Sequence, residues 1–306
     1  MVDSQYYNQA HLLLRILPFI FKHQEFSLKG GTGINFFYRS LPRLSVDIDL
    51  TYLPIQSRRE TLDNIDYLLK NLKSNIENKV PGTRVIAQSN KNRVVKLIVR
   101  TNQATTKIEP NFVIRGSLYS IESKKLVNKA VKLFEVSVKS RVLSFADLYG
   151  GKICAALDRQ HPRDLFDIKL LLENEGITND IKNAFIFYLI SHDRPMLELL
   201  NPNLLDIKEL YNKSFKGMTS VDVSEKELIE TRKILINKIN NILSDKDKKF
   251  LLSINSGKPK WELFPYPKIK IFPSVTWKLA NINKLKELNY DKYLKTNCKL
   301  KNYFDG

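Results

Sequence analysis

The pattern of apolar and polar positions changes character near the middle of this 306-residue chain. The first half opens with an apolar run at residues 12–21, interrupted by Arg15 and Pro18, which predicts a core helix. A strand-like run follows at Arg93–Arg100. The second half instead has helical periods, most clearly at residues 181–191 and 226–243.

These elements predict an α/β (α+β) fold: a long N-terminal helix, a mixed sheet with flanking helices, and a C-terminal helical lobe. The expected domains are residues 1–143 and 144–306. Breaks are expected at residues 193–195 and 201–203, where Asp, Asn and Pro cluster. The segment 258–273 contains four prolines and is expected to be an extended strap. A chain of this length with 43% hydrophobic residues can bury a sizeable core.

Candidate chemistry begins at a glycine turn. Gly30, Gly31 and Thr32 form a bend that follows a short apolar and basic run. Such a turn exposes backbone N–H groups, which bind phosphate oxygens well. A Gly-Gly-Thr sequence alone is more often an ordinary bend, so the residues that follow decide its meaning.

A pair of aspartates follows about a dozen residues later. Asp47 and Asp49 project from the same face of a strand, with Ile48 turned inward. Carboxylates held this close repel one another unless a cation lies between them, and a hard divalent ion such as Mg²⁺ suits that position. Arg43 and Ser45 come immediately before them. Together, the turn and the paired aspartates predict a metal-dependent nucleotidyl or phosphoryl transferase.

The order Gly-Gly-Thr, then Arg-x-Ser-x-Asp-x-Asp, resembles the AbiEii/AbiGii toxin family of nucleotidyltransferase-like proteins, whose relatives include the MenT toxins. The usual superfamily signature begins Gly-Ser, whereas this chain has Gly31 and Thr32, which keeps the hydroxyl. The resemblance implies a nucleotidyltransferase-type fold and an NTP substrate. We expect the phosphates to be held by Gly30, Gly31, Thr32, Arg43 and Ser45.

The resemblance also implies a third carboxylate from a neighbouring strand. Glu109, between Ile108 and Pro110, is the candidate, so that Asp47, Asp49 and Glu109 would hold one or two Mg²⁺ ions. The alternative is an exposed glutamate at a sheet edge, which Pro110 favours because proline lacks the N–H that a ladder needs.

A helix-like stretch further along carries Leu148, Lys152 and Ala155, which match the family's Leu-x-x-x-Lys-x-x-Ala motif. The resemblance implies that Lys152 stabilises negative charge as pyrophosphate leaves. The alternative is an ordinary surface lysine.

The next helix opens with the family's Arg-Asp-x-x-Asp pattern at Arg163, Asp164 and Asp167. The resemblance implies a phosphate contact for Arg163. Acidic residues in a first turn also suit the helix dipole, so the two aspartates either stabilise the helix or orient Lys152 or Arg159. The sequence does not choose between Asp164 and Asp167. The active site is expected in the cleft between the sheet lobe and the helical lobe.

The charge of the chain indicates a polyanionic partner. Fifty Lys and Arg residues against 32 Asp and Glu give a net charge of +18, which attracts nucleic acids. An AT-rich genome would explain abundant lysine, but it would not explain the deficit of acids. Aromatic residues that are expected to stack on bases are interleaved near the C-terminus: Trp261, Phe264, Tyr266, Phe272 and Trp277.

We therefore expect a toxin of a bacterial toxin–antitoxin or phage-defence pair that transfers NMP from NTP to RNA, with the 3′ end of a tRNA as acceptor. Its antitoxin would be a separate protein. The alternatives are a pseudoenzyme that binds nucleotide or RNA, and a transferase that acts on a protein or small-molecule hydroxyl.

The cellular location of the protein is predicted from the absence of membrane-span and signal-peptide patterns. No apolar run approaches the roughly 20 residues of a membrane span, and no signal-peptide pattern opens the chain. Cys154 and Cys298 are expected to be unpaired thiols. These features predict a cytoplasmic protein without a membrane partner.

Overall fold

The computed structural model describes residues 4–305, which form two compact units. The first unit comprises the residues up to 148 together with residues 212–222. The second comprises residues 149–211 and 223 onwards. The inclusion of residues 212–222 in the first unit is not indicated by any local pattern in the sequence.

A single mixed sheet is the frame of the first unit. Its strands are β1 (Phe26–Leu28), β2 (Asp47–Tyr52), β3 (Arg84–Asn90), β4 (Arg93–Arg100), β5 (Thr105–Asn111), β6 (Glu122–Lys125) and β7 (Lys139–Val142). They lie in the order β3-β4-β5-β2-β1-β7-β6. β2 runs parallel to β5, and β1 runs parallel to β7, whereas the other neighbours are antiparallel. The mixed sheet predicted from the sequence is confirmed.

Four helices accompany the sheet: α1 (Ser4–Ile20), α2 (Gly30–Gly33), α3 (Arg58–Lys79) and α4 (Asn128–Phe134), with a π-helical turn at Ile34–Tyr38 after α2. The core helix predicted for residues 12–21 is confirmed as part of α1, where Leu13, Ile16 and Leu17 are buried. α3 starts at a capping box, in which Ser57 accepts from the backbone of Glu60 and the Glu60 side chain accepts in return.

The two faces of the sheet differ in burial. Alternate side chains of β2, β4 and β5 are buried, and α1 packs against β5 while α3 packs against β3 and β4. These buried residues are Ile48, Leu50, Leu97, Val99 and Ile108. Successive side chains of a strand point to opposite faces, so the residues between them line the other face. Those residues are half-buried or exposed, and Asp47 and Asp49 are among them.

The remaining helices belong mainly to the second unit, although α5 begins and α9 ends in the first. They are α5 (Phe145–Asp158), α6 (Pro162–Glu173), α7 (Asn179–Ser191), α8 (Met196–Leu200), α9 (Lys208–Ser214), α10 (Glu225–Ile242), α11 (Asp245–Asn255), α12 (Pro273–Leu288) and α13 (Tyr290–Asp305). The helical periods at 181–191 and 226–243 are thus confirmed as α7 and α10. α5 and α7 pack closely, because a Cβ at Gly150 would lie 2.6 Å from the Ala184 backbone.

The proline-rich segment 258–273 is not a simple extended strap. It contains two short 3₁₀ turns, Trp261–Leu263 and Pro267–Ile271, and α12 begins at its last proline. Proline suits the first turn of a helix because its missing N–H has no helical partner there.

The aromatic residues of this region belong mostly to the core. Phe264 stacks on Phe250 with ring centres 5.0 Å apart, and Phe272 meets Phe187 edge to face at 5.0 Å. Both Phe264 and Phe272 are buried, so the prediction that they stack on bases is wrong. Trp277, by contrast, is 44% exposed.

Within residues 4–305, no helix combines the length and the apolarity that a membrane crossing requires. Cys154 and Cys298 are both free thiols, as predicted.

Candidate active site

The glycine turn lies directly against the second aspartate. The Lys29 backbone N–H donates to the Asp49 carbonyl (3.0 Å), and the chain then bends at Gly30, whose φ is +69°. A Cβ on Gly30 would lie 2.7 Å from Asp49 Oδ2. Glycine is required there both for its backbone conformation and for the space that the carboxylate occupies.

Thr32 ties this turn to the strand. Its hydroxyl lies 2.6 Å from the Asp47 carbonyl oxygen, to which it donates, and 2.8 Å from Ser45 Oγ. Thr32 is buried. Its side chain therefore positions the turn, and the phosphate contacts predicted for Thr32 and Ser45 remain predictions.

A buried cation lies beneath the turn. Arg43 is only 3% exposed, and a Cβ on Gly31 would clash with its guanidinium. The Nη1 group of Arg43 donates to the Leu44 carbonyl (2.8 Å). A fixed positive charge interacts favourably with a phosphate, so Arg43 suits the phosphate-binding role predicted for it.

Arg43 is held in turn by residues 212–222, which we call the return segment. Arg43 lies opposite Thr219 in an isolated antiparallel bridge. Two backbone hydrogen bonds flank this bridge, from Leu44 N to Met218 O (2.9 Å) and from Ser220 N to Pro42 O (3.0 Å). The return segment thus fixes the residues that lead into β2.

The third predicted carboxylate stands beside the aspartates. In the parallel pairing of β2 with β5, Asp49 lies opposite Glu109, and Asp47 lies opposite Lys107. The strand pairing therefore brings Asp47, Asp49 and Glu109 onto one face of the sheet. The alternative prediction, that Glu109 lies at an exposed edge of the sheet, is wrong, because β5 lies between β2 and β4.

Glu109 already has a partner of opposite charge. Lys96 of β4 lies across from it, with 2.5 Å between Lys96 Nζ and Glu109 Oε1. In the part of the chain that the structure describes, no three carboxylate, imidazole or thiol groups converge on one point as they stand. The half-buried oxygens of Asp47 and Asp49 nevertheless fit a hard cation. Glu109 could join them once Lys96 releases it. Lys96 was missed from the sequence, where it is one basic residue in a strand-like run.

The other predicted site residues form a cluster in the second unit. Lys152 of α5 is 5% exposed and contacts two carboxylates of α6. Its Nζ lies 2.7 Å from Asp164 Oδ1 and 3.1 Å from Asp167 Oδ2. Both aspartates therefore orient Lys152, and the catalytic roles expected for these three residues remain predictions. Lys152 is not an ordinary surface lysine.

Asp164 also holds Arg159. The guanidinium donates to Asp164 through Nε (2.6 Å) and Nη2 (3.0 Å), yet the Arg159 side chain is 60% exposed. Burial alone would raise the pKa of Asp164, but the charges of Lys152 and Arg159 outweigh it and hold the pKa well below its usual range. Asp164 thus joins a buried ammonium to a solvent-facing guanidinium.

Arg163 lies in the first turn of α6 and is half-buried. Its backbone N–H donates to Nδ1 of the N-cap residue His161 (3.1 Å), and Pro162 occupies the first helical position. The local sequence thus explains the start of the helix, and the phosphate contact of the Arg163 side chain remains a prediction.

This chain is similar to known proteins in its fold and in its sequence. The fold resembles MenT4, a nucleotidyltransferase toxin from Mycobacterium tuberculosis H37Rv, with a TM-score of 0.62 and 13% sequence identity over 91% of this chain and 94% of that one. This likeness shows a common fold. No curated protein matched the sequence. The model of the family described as nucleotidyl transferase AbiEii toxin, type IV toxin–antitoxin system, matches residues 11–281. This chain therefore belongs to the AbiEii family of nucleotidyl transferase toxins.

Proposed function

We propose that this nucleotidyl transferase uses Mg²⁺ to transfer a nucleoside monophosphate from an NTP to the 3′ hydroxyl of an RNA, with tRNA as the acceptor. The placement of Asp47 and Asp49 on one sheet face, with Glu109 directly across the parallel pairing, is the observation that carries this proposal. Such carboxylates are the ligands that Mg²⁺ prefers.

The triphosphate end of the substrate would lie at the glycine turn. Gly30 and Gly31 keep side chains out of the space between the turn, Asp49 and Arg43. The buried guanidinium of Arg43 favours phosphate charge there. The groups that would bind the triphosphate and those that would bind the metal therefore lie side by side.

Each group in this site then has a defined task. When bound, Mg²⁺ would neutralise phosphate charge and make the attacking hydroxyl more acidic. Asp47 and Asp49 would hold the reacting groups in line, and Arg43 would stabilise the charge that develops on the departing phosphates. The hydroxyl oxygen forms a bond to the α-phosphorus, the bond to the β-phosphate oxygen breaks, and pyrophosphate leaves. The hydroxyl proton passes to a carboxylate of the site.

The charge of the chain supports RNA as the acceptor. The chain has 50 basic and 32 acidic residues, and the resulting net charge of +18 attracts polyanions. As a toxin of a toxin–antitoxin system, the protein also implies a separate cognate antitoxin.

The test is direct labelling. The purified protein is incubated with Mg²⁺, each α-³²P-labelled NTP in turn, and total bacterial RNA, beside the variant Asp47→Ala/Asp49→Ala. A matched variant, Glu173→Ala/Glu175→Ala, removes the same charge from exposed positions. We expect label in a tRNA-sized band with wild type and with the matched variant, none with Asp47→Ala/Asp49→Ala, and none after chelation of the metal.

Other outcomes assign the activity elsewhere. Label on protein or on a small molecule, lost with the two aspartates, would retain the chemistry and overturn the RNA acceptor. An absence of label with all four nucleotides would favour a nucleotide-binding pseudoenzyme. Equal labelling by Asp47→Ala/Asp49→Ala and wild type would overturn the proposed site.

A further inference from the structure

The sheet face that carries the carboxylates continues for three more strands. Strand register places two rows of side chains across β2, β5, β4 and β3. The first row is Asp47, Lys107, Ile98 and Ile86. The second is Asp49, Glu109, Lys96 and Gln88. These side chains are half-buried or exposed, so the face is accessible to solvent. Acidic residues lie at one end of this face and basic residues lie beyond them.

Two arginines stand directly opposite each other at the same face. Arg84 of β3 pairs with Arg100 of β4 in the antiparallel register, and both side chains are exposed. Like charges in this position destabilise a sheet. Among residues 4–305, neither arginine has a carboxylate within 4 Å. The charge of Arg84 helps to lower the pKa of Glu77 from a longer distance, but Glu77 is itself paired with Lys73. An anionic partner would remove the repulsion.

Between the cations lies an apolar pair. Ile86 and Ile98 are directly opposite each other and only half-buried. They are flanked by Arg84 and Arg100 on one side and by Lys96 on the other. An apolar platform with a basic rim matches the faces and phosphates of unstacked nucleotides.

The dimensions suit the end of a single strand. Neighbouring strands are about 4.8 Å apart, so the three spacings from β2 to β3 cover about 14 Å. This is enough for the last few nucleotides of a single strand. A duplex would meet the same face with its bases hidden and would not use the isoleucines.

We propose that this face, which we call the acceptor face, binds the single-stranded 3′ end of the RNA acceptor. The acceptor face comprises Arg84, Ile86, Lys96, Ile98, Arg100 and Lys107. Its basic residues contact phosphates, its isoleucines contact bases, and the terminal hydroxyl lies at Asp47 and Asp49. The identity of the ligand as an acceptor rests on the proposed function, whereas binding of single-stranded RNA by this face does not.

The experiment measures binding without catalysis. A 5′-fluorescein-labelled single-stranded RNA with a free 3′ hydroxyl is titrated with protein across a range of KCl concentrations, and its anisotropy is recorded. The test variant is Arg84→Glu/Arg100→Glu, with the milder Arg84→Gln/Arg100→Gln beside it. The matched control, Arg58→Glu/Arg59→Glu, makes the same charge change at exposed positions of α3, the helix that packs on the other face.

Loss of two phosphate contacts should weaken binding by about tenfold or more and reduce the slope of log affinity against log salt by about 1.4, since each contact to a single strand contributes about 0.7. The glutamine variant should show the same slope change. The glutamine variant should keep or raise the wild-type unfolding midpoint, because it removes the repulsion between the arginines. The glutamate variant replaces one pair of like charges with another and should leave the midpoint close to that of wild type. The Arg58→Glu/Arg59→Glu control should retain nearly all of the wild-type slope.

Equal slopes for the test and control variants would overturn the acceptor face, and so would a wild-type protein that binds a fluorescent NTP but no RNA. If RNA binds and depends on Arg84 and Arg100 while no transfer to RNA is detected, the proposed function fails and the acceptor face stands. Labelling of RNA that is equally efficient in the test variants and wild type would keep the proposed function and overturn the acceptor face. Preferential binding of an acidic peptide over RNA would also overturn it.

Discussion

The carboxylates of β2 and β5 differ from those of α6 in how deeply they are buried. Asp164 and Asp167 are buried and share Lys152, and Asp164 is also bound by Arg159. Asp47 and Asp49 stand half-buried on an accessible sheet face, beside Glu109 and against a glycine turn. The α6 cluster (Lys152, Asp164 and Asp167) is thus withdrawn from solvent, whereas the sheet cluster (Asp47, Asp49 and Glu109) remains accessible.

This difference separates two tasks that the sequence motifs do not distinguish. Buried carboxylates with good partners are costly to disturb, because removal of one partner leaves an uncompensated charge. Accessible carboxylates suit a hard cation, and ion pairs at the surface contribute little to folding. Substitutions in the α6 cluster should therefore mainly lower the stability of the protein, and substitutions in the sheet cluster should mainly lower its activity.

The largest effect is expected in the sheet cluster. Asp47→Asn/Asp49→Asn keeps the shape of both side chains but removes the charge that would hold a metal. NMP transfer should fall by at least about a thousandfold, equivalent to about 4 kcal/mol in the barrier. The unfolding midpoint should change little, because both side chains are accessible to solvent and the substitution keeps their shape. Transfer assays and thermal unfolding of one preparation measure both, with Glu173→Gln/Glu175→Gln as the control. A marked loss of stability would show that the aspartates support the fold.

The α6 cluster should give the reverse result. Asp164→Asn leaves Lys152 buried with a weaker set of partners, so the free energy of unfolding should fall by about 3 to 5 kcal/mol. Urea unfolding measures this change. Arg159→Gln removes the exposed partner of the same carboxylate and should cost about 1 kcal/mol or less, since exposed ion pairs contribute little. Equal losses in the two variants would contradict a cluster centred on Lys152.

Acid should weaken the contribution of Asp164 to stability. The pKa of folded Asp164 is depressed, while an unfolded aspartate titrates near about 3.9. The unfolded state therefore takes up a proton first as pH falls, and the stability from Asp164 is present above about pH 5 and is lost progressively below it. The difference in unfolding free energy between wild type and Asp164→Asn should shrink from pH 6 to pH 3. A constant difference over this range would be inconsistent with an ionised Asp164 in the fold.

The smallest effect concerns Lys96. Lys96→Met removes the cation that occupies Glu109, so the sheet cluster should bind a divalent ion more tightly. A partly exposed ion pair is worth up to about 1 kcal/mol, which corresponds to a two- to fivefold gain in affinity. Titration with Mn²⁺ followed by electron paramagnetic resonance measures the affinity without any need for transfer. Weaker binding in Lys96→Met would remove Glu109 from the proposed metal ligands.

The parts of the fold that depend on local pattern could be predicted from the sequence. α7 and α10 follow from their helical periods, and the shared face of Asp47 and Asp49 follows from the alternation of a strand. The link between Asp164, Asp167 and Lys152 was expected only as one alternative, because a residue in the first turn of a helix has a local role as well.

Other features depend on contacts between distant residues, which a local pattern does not contain. The pairing of Lys96 with Glu109 requires the register of β4 on β5. Phe264 and Phe272 lie between lysines and prolines in the sequence, yet they face the aromatic core. The bridge between Arg43 and Thr219 joins residues 176 positions apart (219 − 43).

The return segment sets an order of events on the ribosome. The residues that lead into β2 lack their partner strand until Ser220 has been synthesised and has left the exit tunnel. The 74 residues from 149 to 222 take about 4 to 15 s to synthesise at 5 to 20 residues per second. A nascent toxin of 148 residues already carries both aspartates but not the segment that fixes Arg43. Unfinished chains, including those cut short by premature termination, would thus carry Asp47 and Asp49 without the segment that holds Arg43. With the phosphate-binding role proposed for Arg43, activity is expected only from chains that extend beyond Ser220.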